Sequence, residues 1–348
     1  MTPLQFYQSA GTQYPSVQID SNRLVLDPEQ QHAVLLQLER PCYVIRTQGQ
    51  IGLCTDEAFH SPDGDAELLA QVPAVQPNQL GDPGFLAAHQ VGLPYMTGAM
   101  ANGIACEELV IAMGHAGLLG SFGAAGLVPS RIEEAIQRIQ QALPQGPYAF
   151  NLIHSPNEDA LERSGCDLFL QYGIRTVEAS AYLDLTPHIV RYRVAGLQAT
   201  PEGQVLASNR VIAKISRTEV ARKFMEPAPP RLLQQLQSEG SITEEQTRMA
   251  AEVPMADDIT VEADSGGHTD NRPLVALLPA LLSLRDEIQA EHGYANPIRV
   301  GAGGGIGTPM SALAAFAMGA AYVTTGSVNQ GCREAAASEH TTRLLAQA

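Results

Sequence analysis

The sequence has no tryptophan, and aromatic residues fill only 5% of its 348 positions. A lectin-like or base-stacking surface needs several rings and is therefore disfavoured. Lysine is nearly missing too: of 21 basic residues, only Lys214 and Lys223 are lysines. Against 37 acidic residues this leaves a net charge of −16. That balance argues against nucleic acid as a main partner, since phosphates are neutralised by basic side chains. It argues equally against a polybasic membrane-surface protein. Long apolar runs are absent: Leu274–Leu284 is broken by Pro279 and falls short of the ~20 residues that a membrane span requires. The stretch Met1–Pro15 is polar and lacks the apolar centre of a secretory leader. Five scattered cysteines (Cys42, Cys54, Cys106, Cys166, Cys332) form no Cys-x-x-Cys pair, so neither a zinc site nor a dithiol motif is expected. Free thiols in a cytoplasmic protein are the simplest expectation.

What is present is a 45% hydrophobic share, enough for a large core. The length suits one α/β barrel of ~250 residues with a smaller companion. Residues 1–85 read as an N-terminal arm or β-containing subdomain. Within them Pro28–Arg40 has helical spacing, Pro41–Leu53 alternates like a strand pair around Gln48-Gly49, and Asp56–Asp82, rich in Pro, Asp and Gly, reads as loop.

Residues 86–348 repeat a regular unit. Eight short β-type runs end in glycine or polar residues: Leu93–Met100, Gly117–Phe122, Tyr148–His154, Thr176–Ala181, Val211–Ser216, Ile259–Asp264, Ile298–Gly301 and Ala321–Thr325. Helical spacing between them covers Cys106–Ala116, Ile132–Leu143, Asn157–Tyr172, Leu274–Ala290 and Pro309–Met318. Alternation of this kind predicts a parallel sheet, and eight units predict a closed (β/α)8, or TIM, barrel. A doubly wound open sheet is the competing architecture. His188–Leu197 reads as an extra strand. Residues 217–257 read as a helical insertion that, following the fifth strand, sits on the catalytic face as a lid.

The glycine-rich segment Arg299–Thr308 (RVGAGGGIGT) fails the Gly-x-Gly-x-x-Gly dinucleotide pattern, because the sixth position from Gly301 is Ile306. In a barrel, loops after strands seven and eight form a phosphate site. Gly303, Gly304 and Gly305, followed by Gly326 and Ser327 after the eighth strand, fit that role; the competing reading is two tight turns without a ligand. After the sixth strand, EADSGGH places His268 behind Gly266 and Gly267, where an imidazole can move a proton beside a flat ring. Asn151, near the end of strand three, offers an amide to a heterocycle edge or serves structure alone. Gly98, Ala99 and Met100 close strand one with small residues that let a ring approach the backbone. Glu178, Ser180 and Tyr182 share a strand face, as polar filling or as an acid/base set. Lys214 lies in an apolar strand, which is costly unless the ammonium is paired; it contacts a bound anion or makes a salt bridge in the barrel mouth.

These motifs occur in an order that resembles the FMN-dependent barrels of nitronate monooxygenases and flavin-type enoyl reductases. The longer strings GAMANGIA (98–105), NLIHSPNE (151–158), VEASAYLDLTP (177–187), EADSGGHTDNRP (262–273) and FAMGAAYVTTGSVNQ (316–330) resemble, more narrowly, the PfaD family. Those are trans-acting enoyl reductases of polyunsaturated fatty acid synthases and trans-acyltransferase polyketide synthases. The resemblance implies FMN, NADPH as reductant, and an enoyl thioester on an acyl carrier protein. It further implies that Gly98, Ala99, Met100 and Asn151 contact the flavin, Gly266 and Gly267 pack at its ring, and Gly304, Gly305, Gly326 and Ser327 hold its phosphate. His268 matches the active-site histidine, as proton donor or as the group that polarises the thioester carbonyl, with Tyr182 as the weaker donor. A nitronate monooxygenase-like FMN oxidase is the alternative activity, and a homodimer fits the related barrels. Members of the family continue into a helical region past the eighth strand, whereas Ala348 follows soon after it here.

An acidic carrier protein is repelled on average by a chain of net charge −16. Docking then calls for a local basic patch, and Arg210, Lys214, Arg217, Arg222, Lys223 and Arg231 crowd into one stretch. They are expected either to dock an anionic partner or to form an ordinary solvated loop.

Overall fold

The computed structural model describes residues 5–6, 14–55, 59–60, 64–264 and 266–347. Two compact units emerge, Met1–Leu80 and Gly81–Ala348.

In the first unit Cys42–Thr47 and Gln50–Cys54 pair antiparallel across a two-residue turn. Gln48 and Gly49 both take positive φ there, as a primed hairpin turn requires. Asp27 caps the helix Pro28–Leu35 by accepting the Gln30 N–H at 3.0 Å. The expected loop over 56–82 is corrected in part: Ala66–Val72 is a strand, joined to Cys42–Thr47 along one edge and to Ser16–Gln18 along the other. Its alternating Ala66 and Leu68 enter a small core with Val17, Tyr43 and Ile45, and the acidic and glycine residues before it mask that period. The parts of this loop reading at 56–58 and 61–63 lie outside the described residues, as does most of Met1–Pro15.

The second unit is a closed eight-stranded parallel barrel. Its strands are β1 (Tyr95–Thr97), β2 (Leu119–Phe122), β3 (Ala149–Ile153), β4 (Thr176–Ser180), β5 (Arg210–Ile215), β6 (Asp258–Glu262), β7 (Arg299–Gly303) and β8 (Val323–Thr325). All eight fall on the runs expected from sequence. Around them stand α1 (Glu107–His115), α2 (Pro129–Ala142), α3 (Asp159–Gln171), α4 (Pro187–Ala195), α5 (Thr218–Met225), α6 (Leu274–His292) and α7 (Pro309–Ala317). None of the described helices is long and apolar enough to cross a membrane.

Two expectations are corrected here. His188–Leu197 belongs mostly to helix α4, started by the Thr186 cap and Pro187. Six of the nine α4 residues are buried, so no polar face survives to mark a helical period. The insertion after β5 is not a lid. Its helices Pro230–Ser238 and Glu244–Met249 pack on α4 and on the hairpin of Leu197–Ala199 with Val205–Ala207, which leads into the start of β5. Leu232, Leu233, Leu236 and Met249 are buried in this outer layer.

The barrel interior is filled from the bottom. Asp258 and Arg299, first residues of β6 and β7, form a bidentate pair at 2.6 and 2.9 Å. His89 adds a contact of 2.8 Å to the same carboxylate. Above them Phe85 stacks on Tyr322 with centroids 4.2 Å apart, alongside Met96, Leu119 and Ile212. The Tyr322 ring lies 2.6 Å from where a Cβ on Gly301 would sit, so β7 admits only glycine there.

Burial raises the Asp258 carboxyl, but Arg299 and His89 outweigh it and hold it at about 2, against 3.8 ordinarily. The folded value lies below the unfolded one. Asp258 therefore adds stability above about pH 4, on the order of 2 kcal/mol, and that contribution drains away as pH falls toward 2. Asp258→Asn leaves Arg299 buried without its counter-ion and should cost about 3–5 kcal/mol. Urea unfolding at pH 7 and pH 3 checks both points: the gap between wild type and variant should be large at pH 7 and shrink at pH 3.

Candidate active site

The mouth of the barrel is organised by three ionisable side chains on adjacent strands. Glu178 (β4), Lys214 (β5) and Glu262 (β6) meet above the aromatic layer. The Lys214 ammonium lies 3.2 Å from Glu262 Oε1 and 3.8 Å from Glu178 Oε1. Of the two readings of Lys214, the salt bridge is what the structure contains. Burial pulls the ammonium down, yet the two carboxylates outweigh it and leave its pKa above the ordinary lysine value.

Each carboxylate also grips a loop. Glu178 Oε2 accepts the Ala99 N–H at 2.8 Å, which fixes the Gly98–Met100 turn after β1. Glu262 Oε1 accepts the His268 N–H at 3.2 Å, and the Glu262 carbonyl accepts the Thr269 hydroxyl at 2.7 Å. The loop after β6 is thus wrapped around its own strand end. A Cβ on Gly266 would lie 2.4 Å from Glu262 Cγ, so this wrapping needs glycine there. Gly267 and the His268 side chain are exposed. Ser265 of the same motif lies outside the described residues.

Asn151 is buried, and its amide N–H groups go to the Glu178 carbonyl and Ser180 Oγ, each at 2.9 Å. Tyr182 stands apart from the triad. It is buried, and its hydroxyl donates to Glu162 at 2.9 Å, so its proton points into the protein. Burial, reinforced by Glu162, pushes this phenol well above its usual value. The structure therefore gathers Gly98, Ala99, Asn151, Lys214 and Gly266 around one polar layer and leaves Tyr182 outside it. The sequence leaves Glu178 open between polar filling and acid/base chemistry and shows Glu262 only as part of the EADSGGH motif. Their central place was nevertheless signalled: three charges stood inside apolar runs on consecutive strands.

Gly303, Gly304 and Gly305 end β7, and Gly326 and Ser327 end β8. Gly304 takes φ +89°, with the Ala263 carbonyl oxygen 1.9 Å from a would-be Cβ, so the β7 loop folds tightly over the end of β6. Beside Gly307 and Gly326 that same position opens into empty space. Helix α7 follows directly, with Thr308 and Ser311 forming a capping box. Glycine-opened backbone at a helix N-terminus is suited to anions.

The basic patch expected of residues 210–231 is not a bare cationic surface. Arg217 pairs with Asp270, Arg222 with Glu226 and Glu287, and Lys223 with Asp184, while Lys214 is buried in the triad. Acidic neighbours, remote in sequence, neutralise most of it.

Fold and mouth together define a (β/α)8 enzyme scaffold with glycine-opened turns after β7 and β8 and a charged layer beneath its opening. Residues 18–74 match the family described as the fatty acid synthase subunit PfaD N-terminal domain, and residues 87–348 match nitronate monooxygenase. The chain belongs to the nitronate monooxygenase family, and its N-terminal match sets it in the PfaD group. Among curated proteins it is 49% identical over 327 residues to one of the polyunsaturated fatty acid synthase subunits of Thraustochytrium sp., covering 92% of this chain and 21% of that one. It is 45% identical over 308 residues to the polyketide biosynthesis protein PksE of Bacillus subtilis, covering 83% and 40%. The chain thus spans about a fifth to two fifths of the length of these relatives. Among solved structures, the enoyl reductase domain of MlnA from Bacillus amyloliquefaciens is similar with TM-score 0.76 and 39% identity, over 78% of this chain and 62% of that one. A FabK structure from Thermotoga maritima shares the fold, with TM-score 0.55 at 20% identity, over 76% and 70%.

This family implies a flavin mononucleotide, and the mouth fits it on two counts. Buried oxygens without hydrogen-bond partners lie in the polar layer: Glu178 Oε1, Glu262 Oε2 and Thr324 Oγ1, a set suited to the N–H edge of a heterocycle. The open positions at Gly307 and Gly326 suit a phosphate.

Lys214→Met should leave two buried carboxylates facing each other. It should lower stability by about 3–5 kcal/mol, read as thermal melting of the flavin-free chain. A change below about 1 kcal/mol would show that the triad is not the clamp of the mouth.

Proposed function

We propose that this chain is an NADPH-dependent FMN enoyl reductase. It acts in trans on enoyl thioesters carried by an acyl carrier protein, in polyunsaturated fatty acid or polyketide biosynthesis. The reading places the work in the cytoplasm, with a homodimer as the assembly, residues 1–85 as an accessory subdomain and residues 86–348 as the flavin-binding barrel. The observation that carries it is the mouth itself: a glycine-opened anion cradle next to buried oxygens that lack hydrogen-bond donors, on a barrel 39% identical to an enoyl reductase domain.

In this reading Gly303, Gly304, Gly305, Gly326 and Ser327 hold the phosphate through main-chain N–H groups and the Ser327 hydroxyl. Gly98, Ala99 and Met100 line one edge of the ring, and Gly266 and Gly267 let it lie close to the backbone. The Lys214 ammonium sits below with Glu178 and Glu262, and Asn151 braces β3 against β4. When bound, the flavin supplies two-electron hydride chemistry. His268, exposed at the rim, meets the thioester, where a ring N–H polarises its carbonyl oxygen or delivers a proton.

Purified protein should be yellow and should consume NADPH with a crotonyl thioester. His268→Ala should keep its FMN and lose about 10²–10⁴-fold in enoyl reduction. Oxygen uptake with a nitroalkane, without thioester-dependent NADPH consumption, would overturn the reading in favour of a nitronate oxidase. Colourless protein unable to bind added FMN would overturn both.

A further inference from the structure

A second imidazole stands on the catalytic face, and its surroundings are unlike those of His268. His154 directly follows the last residue of β3, and its N–H donates to the Ser180 carbonyl at 3.0 Å. Residues at the C-terminal ends of barrel strands are those that face the ligand-binding side. The His154 ring stacks on Tyr182, with centroids 5.4 Å apart and planes 27° from parallel. Its Nδ1 is 2.8 Å from Glu162 Oε2.

Glu162, in the first turn of α3, is buried. Its other oxygen, Oε1, accepts from the Tyr182 hydroxyl at 2.9 Å and from the Thr186 hydroxyl. Two hydroxyls therefore fix the carboxylate, the carboxylate fixes Nδ1, and the neutral ring carries its hydrogen on Nδ1 toward Glu162. That choice leaves Nε2 as the nitrogen that gains and loses a proton. The His154 side chain keeps 22% exposure, so the ring has contact with water from which a proton can be replaced. None of these contacts is explained by the anion cradle or by the Glu178–Lys214–Glu262 layer.

We infer that His154, oriented by Glu162, is the proton donor to the substrate α-carbon, which leaves His268 to polarise the thioester carbonyl. This rests on the reductase reading above. Hydride, with NADPH as the ultimate reductant, adds to the β-carbon, and the π pair of the double bond moves onto the α-carbon and the carbonyl oxygen. That pair takes the proton from Nε2: an α-carbon–hydrogen bond forms, the Nε2–H bond breaks, and the imidazolium becomes neutral with Nδ1–H still held by Glu162. The product has gained one hydride and one proton, and solvent returns the proton to Nε2.

Two variants test this: His154→Gln removes the acid, and His154→Phe removes it but keeps an aromatic ring over Tyr182. Stopped-flow absorbance separates flavin reduction by NADPH from flavin reoxidation by a crotonyl thioester. Both variants should bind FMN with unchanged affinity and be reduced by NADPH within about two-fold of wild type, and His154→Gln, whose amide can still donate to Glu162, should hold its melting temperature. Reoxidation should slow by about 10²-fold or more in both. Reoxidation at the wild-type rate in either variant would overturn the assignment. So would slowing of both half-reactions together with lost FMN affinity, which marks a purely structural histidine. If wild type itself fails to reoxidise with the thioester, the reductase reading falls, and that outcome is seen before any variant is compared.

Discussion

The active face depends on one buried interaction, the ammonium of Lys214 held between the carboxylates of Glu178 and Glu262. None of these groups tolerates burial alone, because a charge taken out of water must be paired and hydrogen-bonded. Together they satisfy each other across three adjacent strands. The same carboxylates then reach out of the barrel to the N–H of Ala99 and of His268. The loops after β1 and β6 are therefore set by the packing of the layer beneath them. Two carboxylates share one ammonium, so oxygens are left over, and Glu178 Oε1 and Glu262 Oε2 remain as acceptors without hydrogen-bond donors. Buried acceptors left over at the bottom of an opening suit a bound group that brings an N–H of its own.

The barrel interior changes character with height. At the bottom, Asp258 is shared between Arg299 and His89, whose Nδ1 is left without a hydrogen-bond partner. In the middle, Phe85, Tyr322, Met96, Leu119 and Ile212 fill the lumen. At the top, Glu178 Oε1, Glu262 Oε2 and Thr324 Oγ1 are left without hydrogen-bond partners. Stability and function are thus separated along one axis, with rigid lower layers carrying an upper layer that has capacity to spare.

Much of this was legible in the sequence. All eight barrel strands announced themselves as short apolar runs ending in glycine or polar residues, and the glycines after β7 and β8 lay where a barrel keeps its anion site. What escaped depended on distance. Helix α4 is buried on nearly every side, so Ile189, Val190, Tyr192 and Val194 read as a strand. The strand Ala66–Val72 was hidden by the acidic and glycine residues ahead of it. The basic run from Arg210 to Arg231 looked like a docking patch because Asp184, Asp270 and Glu287, which neutralise it, lie far away in sequence. Lys214 could be recognised as needing a partner, but Glu178 and Glu262 become its partners only once the strands close. His154 and Glu162 are eight residues apart, yet a strand end and a helix start bring them together only in the folded unit.

The filled lumen also sets the traffic of the reaction. Asp258 and Arg299 plug the lower end, and Phe85 stacked on Tyr322 blocks the passage above it, so the barrel has one open end. On the reductase reading proposed above, the electron donor and the electron acceptor then share the upper doorway, one after the other. An architecture of this kind favours double displacement, in which the first reactant departs before the second arrives and each is a dead-end competitor for the other's form of the enzyme.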